Sequence, residues 1–243
     1  MEWKHAHNWP RTKAEAYDLE RERETLLDIH RYDAAPKLIV AVETSYGYGA
    51  ETAFAAAAVL TFPDLKPIER QVAHVDVLFP YIPGLFYYRE GPALVEVLRK
   101  VKCNPDVILV SGHGLAHPRG LGLATQLGIS FDKPSIGCAR RLLIGRHKPV
   151  SEKKGGFAPI LYKGEKVGMA YRSKDFVKPV FISPGHRCGH DFAVEVVTQC
   201  IRGFRLPEPI RLVHNLANRH KRNVEGSRRD GVNTREETTE DIT

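Results

Sequence analysis

Apolar residues recur at two different spacings along the chain, and the switches between them predict its elements. Residues 12–28 are rich in helix formers with charges at i,i+4 spacing, which predicts a surface helix. From Lys37 the pattern changes. KLIVAVETSY, ETAFAAAAVLTF and IERQVAHVDVLF are β-rich runs parted by Gly- and Pro-containing turns, which predicts a three-strand meander. REGPALVEVLRKV then places Leu94, Val95, Val97, Leu98 and Val101 at helical spacing, with Pro92 just inside the expected start. PDVILVSG is short and wholly apolar, as a buried parallel strand is. After it come a loop (HGLAHPRG), a helix (LGLATQLGI), a strand (KPSIGCA) and a hairpin turning at Lys163–Gly164. KPVFISPG reads as a strand, DFAVEVVTQCIRGF as a helix, and PIRLVHNLANRHKR as a last helix entered through Pro207 and Pro209. This order predicts one α/β domain with a mixed sheet over residues 1–220.

Residues 221–243 hold almost no apolar groups, which predicts a disordered charged tail. The chain of 243 residues carries a formal net charge of +7. The tail holds five basic and six acidic residues, so the positive excess belongs to the rest. Such an excess attracts polyanions, but it identifies a nucleic-acid partner only where it is clustered. The longest apolar runs, 38–42 and 54–60, are too short to span a bilayer, and no leader pattern stands at the N-terminus. Cys103, Cys138, Cys188 and Cys200 are scattered without CxxC spacing, as reduced thiols of a cytoplasmic protein are. A monomer is expected, since the chain is long enough to form its own core.

Three polar residues follow apolar strand runs: Glu43, Ser111 and Ser183. Ligands of α/β sheets bind beyond the carboxyl ends of strands, although a strand-end Glu43 facing water fits the pattern as well. Glu90 opens the helix REGPALVEVL, where an acid is favoured by the helix dipole alone. His113 and His117 stand four apart but in a Gly- and Pro-rich loop, and no second Cys/His pair has zinc spacing; His186, Cys188 and His190 are equally weak as zinc ligands. Arg140 and Arg141 flank a strand end and suit either solvent or phosphate. No GxGxxG or P-loop follows an expected strand, which argues against a nucleotide-binding reading.

The motifs AVETSY, PYIPGLFYYREGPA, ILVSGHGLAHPRGLGLATQLGI, KPSIGCARRLL, GHR and FRLPEPIRLVH occur in this order, and the series resembles the endonuclease V family over residues 35–216. The resemblance implies an RNase H-like mixed sheet flanked by helices. It implies a Mg²⁺-dependent nuclease, with Mn²⁺ as a substitute, acting on DNA or RNA that contains inosine or another deaminated base, in nucleic-acid repair. It implies cleavage of the second phosphodiester bond 3′ to the lesion. The family's metal ligands fall at Glu43, Glu90, Ser111 and His214, and its active-site lysine at Arg140. Its base-prying wedge falls at Pro80, Tyr81, Ile82 and Pro83. Further nucleic-acid contacts are expected from Gly84, Arg89, His113, Gly114, His117, Arg119 and Gly137.

Three positions depart from the family's pattern. Glu43 stands for Asp, Ser111 for Asp and Arg140 for Lys. The first keeps a carboxylate one methylene further out, the second removes a charge, and the third keeps a charge in a different geometry. A serine hydroxyl can still ligate Mg²⁺. Two readings follow: a nuclease with a weakened metal site, or a homologue that binds inosine-containing or branched nucleic acid without cutting it.

Overall fold

The computed structural model describes residues 1–29 and 34–236. The meander forms as the β-rich runs predict: β1 (Leu38–Tyr46), β2 (Thr52–Thr61) and β3 (Pro67–Asp76) pair antiparallel in succession. The fully apolar run becomes β4 (Val107–Val110), parallel to β1 on one side and to β5 (Ser135–Ala139) on the other. β6 (Phe157–Tyr162) and β7 (Glu165–Tyr171) form the hairpin, with Lys163 and Gly164 both at positive φ, as a tight two-residue turn demands. β8 (Val180–Pro184) joins the hairpin to β5, completing one eight-stranded mixed sheet in the order β3-β2-β1-β4-β5-β8-β7-β6. This is the α/β arrangement that the sequence predicts.

Helices cover both faces. α2 (Phe86–Lys100) and α3 (Leu123–Phe131) share one apolar cluster with Val40, Val42, Ala55, Ala57, Ile108 and Val110. α4 (His190–Gln199) and the long α5 (Glu208–Glu236) close the opposite face over Ile39, Ala41, Ala56, Ala58, Val107 and Leu109. β2 carries alanines where both faces are buried, so helices on either side approach closely.

Four expectations about elements change. α1 (Lys13–Glu24) ends sooner than residue 28, and it is not wholly a surface helix: Thr12 and Glu15 form a capping box at its start, while Glu20 and Arg23 are buried. α2 begins at Phe86 rather than Arg89, because Tyr87 and Tyr88 already pack in the core; Pro92 and Glu90 therefore lie inside the helix, not at its first turn. β1 spans the run KLIVAVETSY to Tyr46 as predicted, so Glu43 lies inside the strand against β2 and not at its end. α5 continues through residues expected to be a disordered tail, as far as Glu236; Glu225 bonds the backbone N–H of Tyr48 and ties that extension to the turn after β1. Residues 237–243 of the expected tail lie outside the described residues.

Candidate active site

Glu43 sits where the parallel pairing of β1 with β4 ends, since β4 pairs with Ile39–Val42 and no further. Its side chain therefore stands over the carboxyl end of β4, in the crevice that open α/β sheets use for ligands. Glu43 is buried. Its Oε1 accepts from Arg140 Nη2 at 3.0 Å and from His214 Nδ1 at 2.9 Å. Asn218, one turn beyond His214 on α5, donates to His214 Nε2 at 3.2 Å and accepts from Ser45 at 2.9 Å. That orientation makes Nε2 the acceptor and Nδ1 the donor of the His214 ring. Both ring nitrogens are engaged, so His214 holds Glu43 in this arrangement. Arg140, on the strand end after β5, places a cation beside the same carboxylate.

Glu90, on α2, is near enough to feel the charge of Glu43. Burial pushes the Glu90 carboxyl up to about 7; hydrogen bonds from Thr44 and Tyr46 oppose the shift, and the charge of Glu43 adds to it. Tyr46 donates its hydroxyl to Glu90 at 3.4 Å. Ser111 follows β4, its N–H bonded to the Val42 carbonyl at 3.1 Å, so it is locked one step from Glu43. Among the described residues no group of three or more His, Cys, Asp or Glu side chains converges on a metal position. The donors present do fit a hard cation that keeps most of its water. Glu43 Oε2 is buried and has no hydrogen-bond partner, a costly state that a cation would relieve.

A cavity of about 270 Å³ is lined by Glu90 and Ser111. Tyr81, Pro83, Gly84, His113 and His117 line it as well. Tyr81 is 62% exposed and rests edge-on against Phe86, with ring centroids 5.2 Å apart. Pro80 and Pro83 are also exposed, whereas Ile82 turns inward against the core.

Several residues expected to touch nucleic acid also hold the frame around the cavity. The Gly84 carbonyl accepts from His117 Nε2 at 3.0 Å and from Arg119 Nη2 at 2.6 Å. Arg119 is held in turn by Glu20 of α1, at 2.5 and 3.2 Å, and stacks over Tyr17. Arg89 donates to the carbonyls of Phe79 (2.8 Å) and Ala50 (3.0 Å), so it pins the segment leading to the wedge. His113 donates to the Arg141 carbonyl at 3.0 Å. Burial pulls both His113 and His117 down to about 4, so both are neutral near pH 7. Gly114 and Gly137 are close-approach positions: a Cβ at Gly114 would lie 2.1 Å from the Pro184 carbonyl, and one at Gly137 2.6 Å from the Gly112 carbonyl. Gly114 N–H is fixed by Ser183 Oγ at 2.8 Å, which gives that strand-end serine its role.

Glu20, Ser45 and Asn218 were not legible as site residues. Each belongs to an ordinary polar face in the sequence and acquires its partner only through tertiary packing, at separations such as that of Glu20 from Arg119. His186, doubtful as a ligand from its spacing, is buried and bonded to the backbone of Asp28 and to Asp132. The four cysteines are free, three of them buried.

Comparison with known proteins agrees with this geometry. Residues 22–215 match the family model described as Endonuclease V. Endonuclease V of Nostoc punctiforme is 38% identical over 218 residues, covering 89% of this chain and 99% of that protein. The crystal structure of Endonuclease V from Streptomyces avermitilis superposes with a TM-score of 0.85 at 32% identity, over 90% of this chain and 96% of that one. Endonuclease V of Ciona intestinalis, crystallised with a 24mer DNA containing an inosine followed by a ribo-adenosine, shares the fold with a TM-score of 0.75 at 23% identity, over 87% of this chain and 100% of that one. By sequence and by fold, this chain belongs to the endonuclease V family.

Proposed function

We propose that this chain is a Mg²⁺-dependent endonuclease for DNA or RNA containing inosine or another deaminated base, cutting the second phosphodiester bond on the 3′ side. One observation carries the reading. The same cavity is bordered by the exposed wedge residues Tyr81 and Pro83, by Gly84, and by the acidic residue Glu90 with Ser111. A base levered from its stack by Tyr81 has a place to go, and its backbone then lies beside the carboxylates. Glu43, Glu90 and Ser111 would hold the ion, which when bound polarises a phosphoryl oxygen and favours ionisation of water. Arg140, half-exposed beside Glu43, stabilises negative charge on the phosphate. His214 and Asn218 keep Glu43 oriented, and the glycine-pinned loop at His113 and Gly114 gives the cavity a fixed wall. All these groups come from one chain, so a monomer suffices. No helix among the described residues is long and apolar enough to cross a membrane; the proposed location is the cytoplasm.

The ion pair of Glu43 with Arg140 and the uncharged Ser111 favour a second reading, in which the site binds without cutting. Incubation with inosine-containing duplex and single-stranded RNA, first with Mg²⁺ and then with Mn²⁺, separates the two. A single nick supports the nuclease. Tight inosine-dependent binding with no nick leaves only the binding reading.

A further inference from the structure

The positive charge of this protein has an address. Residues 140–178 hold eleven Lys and Arg against three acidic residues, while the remainder of residues 1–220 holds twenty of each. The whole basic excess therefore lies on β6, β7 and the loops that flank them. The side chains of Arg141, Arg146, Lys148, Lys163, Lys174 and Lys178 are exposed, and none has an acidic partner among the described residues.

The frame that carries these cations is tied down. Arg146 and Leu161 exchange backbone hydrogen bonds of 3.0 and 2.9 Å, which zips the loop after β5 onto the edge strand β6. Arg172 binds the carbonyls of Val150, Ser151 and Val177 with its guanidinium, and Asp175 accepts from the Lys154 N–H at 2.7 Å. The lysines thus project from a fixed surface.

Aromatic and apolar groups are interleaved with the charge. β6 alternates exposed and buried, so Phe157, Pro159 and Leu161 face outward while Ala158 and Ile160 face the core. Phe157 is 66% exposed and Phe176 is 70% exposed, with Lys153 Nζ 4.8 Å above the Phe176 ring. Exposed rings within a basic field suit stacked, unpaired bases whose phosphates lie on the lysines. A duplex keeps its base faces covered and would leave those rings unused. The basic stretch begins at Arg140, which touches Glu43, and ends on the edge of the same sheet.

We infer that the β6–β7 arm and its flanking loops bind a single-stranded stretch of nucleic acid, separately from the wedge and the cavity. This deepens the proposed nuclease reading and rests on it only for the identity of the strand. Binding is therefore measured with inosine-free probes, and nicking is scored apart.

The test uses the full chain and a labelled oligothymidylate of roughly 16 nucleotides, a length suited to such surfaces, beside a duplex of the same length. Anisotropy is followed across about 50 to 200 mM salt. The combined change Lys148→Ala, Lys174→Ala and Lys178→Ala reduces the slope of log affinity against log salt by about two, at about 0.7 for each phosphate contact to a single strand. The pair Phe157→Ala and Phe176→Ala lowers single-strand affinity at least about fivefold, leaving the salt slope and duplex binding as they were. Unchanged melting temperatures certify the fold. Wild-type single-strand binding by either variant overturns the inference, as does an equal loss of duplex binding in the aromatic pair. If the arm binds as described and no inosine substrate is ever nicked, the arm stands and the nuclease reading falls.

Discussion

Arg119→Ala separates a residue that touches nucleic acid from one that braces the wedge. In the folded chain Arg119 joins two groups: it donates to both oxygens of Glu20, and its Nη2 reaches the Gly84 carbonyl. Removing it leaves Glu20 buried, at 4% side-chain exposure, without its cation. Breaking a fully buried pair costs roughly 3–5 kcal/mol. Arg119 is itself 34% exposed, so solvent already screens the pair, and the lower end, about 3 kcal/mol near pH 7, is expected. For a chain of this size that lowers Tm by roughly 6–12 °C. The pH dependence has a definite sign. Burial already raises the Glu20 carboxyl, with Arg119 opposing the shift, so losing Arg119 raises it further. A raised carboxyl pKa penalises the folded state at high pH, and the penalty fades as the group takes up a proton. The deficit of Arg119→Ala is therefore largest near neutral pH and shrinks on acidification. Glu20→Gln keeps an acceptor for Arg119 and loses less. Differential scanning fluorimetry across pH reads both variants. An Arg119→Ala protein as stable as wild type near pH 7, or a deficit that grows on acidification, refutes the brace.

Further outcomes follow from the same geometry. Ser111→Asp restores a carboxylate beside Glu90 and is expected to raise single-turnover nicking at least about tenfold, about 1.4 kcal/mol of barrier; no gain places the impairment elsewhere. Tyr81→Ala weakens binding to inosine duplex more than to plain duplex, because the wedge acts only where a base leaves the stack; equal weakening in a titration reduces Tyr81 to a general contact. Because burial holds the Glu90 carboxyl at about 7, a cation must displace its proton below that pH, so the Mg²⁺ concentration for half-maximal nicking rises up to about tenfold per unit as pH falls from 7. A flat Mg²⁺ requirement across that range excludes Glu90 as a ligand.

The sheet was legible because its strands announce themselves: the β1 and β2 runs are largely apolar between turns, β4 is too apolar to be an edge, and Lys163–Gly164 sits at a hairpin turn. Ends were less legible. α2 starts three residues early because Tyr87 and Tyr88 are core residues, which their distance from the periodic stripe conceals. The helical stretch of α5 beyond residue 220 lacks apolar periodicity; it continues a helix already nucleated against the sheet, and Glu225 reaches the turn after β1. At the site, motif order placed Glu43, Glu90, Ser111, Arg140 and His214, and the fold brings Glu43 into hydrogen-bonding contact with Arg140 and His214. It does not turn every motif residue toward a ligand. Arg89, Gly137 and Arg119 serve the backbone around the cavity, and a motif cannot distinguish a residue that contacts substrate from one that shapes the surface. The basic arm escaped notice for a different reason. A net charge summed over the chain hides its distribution, and the excess lies in one stretch, residues 140–178.

Nick mapping at single-nucleotide resolution on an inosine-containing oligonucleotide with Mg²⁺ tests the central claim most directly. The account predicts one cut, at the second phosphodiester bond 3′ to inosine, lost in Glu43→Gln and in Glu90→Gln while inosine-dependent binding persists. Cleavage that survives both substitutions, or tight inosine binding with no cut by the wild-type chain, contradicts it.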